Sequence, residues 1–153
     1  MTLFDESGQP LANQEAILPL NILPPEQVLP AAVFFRGITA QASAQAQLIT
    51  SMSLAVGDSR YLRTSIQNLL ISVSWDGLSA TAQGEIFLPE TEKPASNIWL
   101  VAVAADASGE IIGYRRWEWS GLLQPGASQA FTLPVYSLGP QIQHVDVLVE
   151  ARP

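Results

Sequence analysis

Apolar and polar residues alternate with a period of two along most of the chain after residue 67, the mark of half-buried β-strands. "NLLISVSW" (68–75) puts Leu69, Ile71, Val73 and Trp75 on one face. "ATAQGEIFL" (80–88) follows an Asp76-Gly77 turn, and "NIWLVAVAA" (97–105) is a near-continuous apolar run of the kind a buried strand carries. "EIIGYRRWEW" (110–119), "QAFTLPVY" (129–136) and "HVDVLVEA" (144–151) complete the set, the last with Val145, Val147 and Val149 facing inward. Six or seven short strands in about 90 residues predict an all-β domain, an Ig-like antiparallel β-sandwich. No stretch carries a 3.6-residue period with caps. "AQASAQAQ" (40–47) holds good helix formers but alternates by two, and reads as a loop or the frayed start of a strand.

The same pattern occurs twice. "FDESGQPL" (4–11) and "ADASGEII" (105–112) share Asp-x-Ser-Gly, and Asp5 and Asp106 lie 101 residues apart. At that offset Ser7 maps to Ser108, Gly8 to Gly109, Leu11 to Ile112, Ile22 to Leu123, Pro24 to Pro125 and Phe34 to Val135, without a gap. Asp and Ser cap such a turn with their own oxygens, and Gly supplies the positive φ of a tight hairpin. "LLQPGAS" (122–128) adds a Pro125-Gly126 turn. The first copy has "ILPPEQ" (22–27) there, with Pro25 in place of the Gly, which predicts a different turn type. The expected organisation is therefore the later half of a first sandwich in residues 1–57, with strands near 2–4, 10–20, 27–36 and 46–56, then a complete second sandwich in 58–153.

Composition narrows the function. Seven basic residues against 14 acidic ones give a formal charge of −7. No basic face exists for a phosphate backbone, so a nucleic-acid partner is not expected. The chain has no Cys, which excludes disulfides, thiolate metal sites and thiol catalysis. The apolar runs are short and broken by Pro and Gly, so no membrane span is expected in this stretch. "MTLFDE" has neither the basic start nor the apolar core of a signal peptide, and Met1 reads as a start added to an excised fragment.

"TLFD" (2–5) resembles the tail of the motif that names the FxLYD domain family. The second copy is similar to that family through Gly84 in "AQGEIFLPET", the strand "IWLVAVAADASGEIIG", the turn "LLQPGASQAF" with Phe131, and "HVDVLVEA". The resemblance implies tandem Ig-like modules of secreted or lipid-anchored surface proteins, without a catalytic role. Its location would then be secreted or cell-surface, and its role that of a structural or protein-interaction module of the envelope.

Catalysis finds little to stand on. His144 is the one histidine, on the strand face opposite the three valines, and reads as an exposed residue beside Asp146. Glu90 and Glu92 flank the Pro-bounded loop 88–97 without the Asp-rich spacing of a Ca²⁺ loop. No enzyme activity, metal or cofactor is expected. The one affirmative hint is "GYRRWEWSG" (113–121). Alternation places Arg115, Trp117 and Trp119 on one face and Tyr114, Arg116 and Glu118 on the other. If the Trp face is core, Arg116 pairs with Glu118 or a cross-strand acid, and Trp75 and Trp99 fill the core as well. If it is surface, the exposed indoles of Trp117 and Trp119 with an Arg make a platform for a sugar or a protein, and the candidate contact residues are Tyr114, Arg115, Arg116, Trp117 and Trp119. The expected partners are a protein or a neighbouring module of the same chain, with a homodimer through the incomplete first copy as a further route. The alternative reading is a carbohydrate-binding module using the Trp and Tyr rings.

Overall fold

The computed structural model describes residues 1–24, 26–37, 43–47, 51–55 and 57–153. Among them there is no helix; nine strands form three antiparallel sheets. They divide into two compact units: residues 1–18 with 31–56, and residues 19–30 with 57–153.

The first unit holds one small sheet of β1 (Thr2–Phe4), β2 (Pro10–Asn13) and β3 (Ser43–Gln45), in the order β2-β1-β3. It carries less strand than the alternation predicts. β2 stops at Asn13, and in place of a strand over 27–36 there is an isolated bridge between Ile17 and Ala32. Pro19, Pro24 and Pro30 explain part of this, because proline has no N–H for a ladder. Of the expected strand at 46–56, residues 46–47 and 51–55 are unpaired, and the rest lies outside the described residues, as do Pro25 and residues 40–42.

The second unit is sandwich-like. One sheet orders β4 (Ser65–Val73), β5 (Ser79–Phe87) and β8 (Ser128–Tyr136) as β4-β5-β8. The other orders β6 (Ala95–Ala105), β7 (Ile111–Leu123) and β9 (His144–Arg152) as β7-β6-β9. One apolar cluster fills the space between them: Ala82 and Ile86 of β5, Phe131, Leu133 and Val135 of β8, and Ile98, Leu100, Ala102 and Ala104 of β6. Val145, Val147 and Val149 of β9 join that cluster, as their alternation predicts. Small residues on β6 let the sheets approach closely. At Gly113 the approach is closer still, since a Cβ there would collide with the backbone oxygen of Tyr136.

β4 departs from the pattern. Asn68 takes a φ of 53°, and the pairing slips between Gln67 and Leu70. This bulge leaves Leu69 exposed while Ile71 still packs on the core. The strand ends at Val73 because Ser74 and Asp76 take over the local hydrogen bonds. The Asp76 carboxylate accepts from the Ser74 hydroxyl at 2.6 Å and from Leu78 N–H at 2.9 Å, and Gly77 follows with a φ of 72°. Trp75 sits in that turn and is 98% exposed, so it is not the core residue its period suggests.

The two Asp-x-Ser-Gly turns match bond for bond. Asp5 Oδ1 accepts from Ser7 N–H, Ser7 Oγ and Gln9 N–H at 2.9, 2.6 and 2.8 Å. Asp106 Oδ1 accepts from Ser108 N–H, Ser108 Oγ and Glu110 N–H at 2.9, 2.7 and 3.0 Å. Gly8 and Gly109 take φ of 80° and 82°. The flanking pairs also agree: Thr2 faces Asn13 and Gln45 as Val103 faces Tyr114 and Asp146. Both hairpins carry a register shift one residue before the turn, at Leu3/Phe4 and Ala104/Ala105. At the Pro turns the match slips by one residue: Gln27 N–H bonds Pro24 O with Glu26 at φ 63°, and Ala127 N–H bonds Gln124 O with Gly126 at φ 79°, an offset of 100 in place of 101, while Pro25, on which the turn type depends, lies outside the described residues.

Candidate functional site

β7 runs straight through "GYRRWEWSG", so its side chains divide between two faces. Trp117 lies opposite Leu100 and Trp119 opposite Ile98, and both indoles are partly buried against the core between the sheets. The Trp119 ring lies over Gly121, where a Cβ would collide with it. Arg115 is exposed. Tyr114, Arg116 and Glu118 lie on the other face, away from the β4-β5-β8 sheet, with Arg116 Nη2 2.6 Å from Glu118 Oε1. The five candidate contact residues are therefore divided between two faces, as their alternation predicts. Tyr114 and Arg116 belong to the outer face, and Trp117 and Trp119 to the packing.

The outer face of β7-β6-β9 carries more than these two. Trp99 stands at its centre, not in the core between the sheets. The guanidinium of Arg116 lies 5.5 Å from its ring centre and that of Arg152 4.8 Å from it. Arg152 also reaches Tyr61 at 5.1 Å, and Arg60 lies 5.9 Å from the same Tyr61 ring. Arginine and aromatic planes thus alternate across the sheet, an arrangement that holds each guanidinium in a fixed pose. Each arginine has its own acid: Glu118 for Arg116, Glu150 for Arg152 and Asp58 for Arg60. Hydrogen bonds from Arg60 hold the Asp58 carboxyl down at about 2.

Glu150 is the buried charge of the domain. A carboxylate loses most of its hydration there and stays only where its oxygens are filled. Oε1 accepts from Arg152 Nε at 2.8 Å and from Asn21 Nδ2 at 3.2 Å. Oε2 accepts from the backbone N–H groups of Asn21 at 2.6 Å and Ile22 at 3.2 Å. The Asn21 and Ile22 donors come from residues 19–30, a segment that crosses the outer face. Beside them Leu20, 1% exposed, packs with Val101, Val103 and Leu148, and Leu29, Trp99, Ile111 and Tyr114 close around that cluster. Pro19 and Pro30 are buried at the two ends. Between them Leu23 and Val28 are 54% and 68% exposed. A half-open cavity of about 340 Å³ lies beneath, bounded by Gln27, Val28, Val103, Ile111 and Asp146.

Chemically this face holds an extended segment of the chain itself. It offers a hole for one aliphatic side chain, a carboxylate for two consecutive N–H groups, and an aromatic wall for proline-bounded backbone. Sequence patterning missed Glu150, Arg152, Tyr61 and Leu20. One signal was present in "NIWLVAVAA", whose apolar residues on both faces require a cover on the outer face as well. Nothing in the local pattern says that the cover comes from residues 19–30.

His144 is exposed, with Nε2 2.9 Å from Asp146 Oδ1. Among the described residues no group of three or more His, Asp and Glu side chains is placed to hold a metal ion. Set against known proteins, the chain matches no family model, no curated protein and no solved structure.

Proposed function

We propose that the protein is a non-enzymatic structural and protein-interaction module, whose working surface is the outer face of the β7-β6-β9 sheet. The observation that carries this reading is the fully buried Glu150 carboxylate bonded to the consecutive N–H groups of Asn21 and Ile22, with Leu20 sunk beside it. A buried carboxylate with main-chain donors recognises backbone, and a single aliphatic hole adds side-chain selection. The Ig-like, FxLYD-type assignment and the secreted or surface-anchored location belong to the same proposal. The matched turns and registers 101 residues apart support two copies of one module. We prefer this reading to a sugar-binding platform, because Trp117 and Trp119 pack on the core and Trp99 is clasped between Arg116 and Arg152.

Leu20→Asp should release the segment and open the face. A fluorescent peptide of residues 17–32 is then expected to bind the L20D chain, with no binding to the occupied wild type. A folded L20D chain that ignores the peptide contradicts the proposal.

A further inference from the structure

The segment 19–30 has an unusual covalent position. It belongs by contact to the second unit, while both of its flanks, residues up to 18 and from 31, belong to the first. Its hold on the outer face is concentrated at the ends, in Leu20, Asn21, Ile22, Leu29 and the buried Pro19 and Pro30. Between these ends Leu23 and Val28 are exposed, and Glu26, Gln27 and Val28 border a cavity. Such a segment opens locally at lower cost than a strand whose every residue is laddered. Proline at each end stiffens the extended course of the chain, and the residue before each proline is biased to the same extended region.

Resting on the docking role proposed above, we infer that residues 19–30 of one copy of this chain occupy the outer face of a second copy, linking chains by exchange of the segment. The occupant follows from what is seated there. An identical segment presents the same leucine, the same asparagine amide and the same two N–H groups to Leu148, Val101 and Glu150, so each contact made within a chain is remade between chains. Only the tether distinguishes the two arrangements. The tether is residues 31–56, the stretch of the first unit that joins the segment to Gly57; it keeps the segment near its own face, so the closed monomer prevails in dilute solution and the exchanged form grows with protein concentration.

Two broken chains test this by complementation. Leu20→Asp spoils the segment and leaves the face; Leu148→Asp spoils the face and leaves the segment. Glu150→Ala serves as a second face variant, and circular dichroism verifies the fold of each. Sedimentation of each variant alone is expected to show monomer. Their equimolar mixture is expected to give a 1:1 heterodimer, with a dissociation constant matching that of the 17–32 peptide for L20D within about tenfold. If the peptide binds L20D but the mixture with either folded face variant stays monomeric, exchange is overturned while docking stands. If the peptide does not bind either, both fall.

Discussion

The hairpins around Asp5 and Asp106 share a turn, a bulge and a register, yet their strands meet opposite fates. β6 is almost wholly buried, with Ile98, Leu100, Val101, Ala102 and Ala104 out of contact with water, whereas β1 is half-buried and β2 and β3 are largely exposed. The Asp oxygen, the Ser hydroxyl and the left-handed Gly are local devices, and they set pairing wherever they are placed. Burial is not local. It needs apolar residues on the strand and a facing element to cover them. The difference between the hairpins therefore separates what a turn specifies from what a core specifies.

The sharpest way to break the equivalence is at Gly113, whose counterpart at the same offset is Ala12. Gly113→Ala drives a methyl into the Tyr136 carbonyl and is expected to cost about 3 kcal/mol or more in urea denaturation. Ala12→Gly should cost no more than about 1 kcal/mol, the ordinary entropy of a glycine in a strand. Next in size is Leu20→Ala, which removes a fully buried side chain from the outer-face cluster. A loss of about 2 kcal/mol is expected, read as faster amide exchange at Asn21 and Ile22, with the β4-β5-β8 sheet unaffected.

Gly8→Ala and Gly109→Ala place a Cβ at φ of 80° and 82° with open space around it. Each should cost roughly 1 kcal/mol of backbone strain. Global melting is expected to register the loss at Gly109, while at Gly8 it shows as fraying of β1–β2. The smallest effect concerns the carboxyl groups. The Ser7 hydroxyl and the Gln9 N–H hold Asp5 below the ordinary aspartate value of 3.8, and the Ser108 hydroxyl does the same for Asp106. A folded pKa below the unfolded one stabilises the turn above about pH 4, and this stabilisation is lost as pH falls through the lowered value. Carboxyl NMR titration is expected to find both aspartates low. Ser7→Ala should return Asp5 toward 3.8 and leave Asp106 unmoved.

Much of the second unit was legible from alternation, because a strand with one face in the core writes its period into the sequence. β5, β6, β8 and β9 fall within two residues of the bounds read from it. Trp75 misled, because Ser74 and Asp76 end the strand with side-chain bonds that periodicity does not register. The Arg-Trp cluster was legible as a strand, but its site was not. Alternation divides Tyr114 and Arg116 from Trp117 and Trp119, and the Trp99 ring under Arg116 is shared with Arg152, far along the chain. The Pro-rich stretch 19–30 was the hardest to read. Its docking depends on an acceptor, Glu150, and on an aliphatic hole lined by Val101, Val103 and Leu148, all far along the chain.

Residues 19–30 are part of the second unit, held there by Glu150. Native-state amide exchange of the full chain tests it directly at Asn21 and Ile22, whose N–H groups bond that carboxylate. Protection at both amides, lost together in Glu150→Ala while the amides of β5 and β8 remain protected, is the expected result. Exchange at both amides in the wild type as fast as in an unstructured peptide would contradict it.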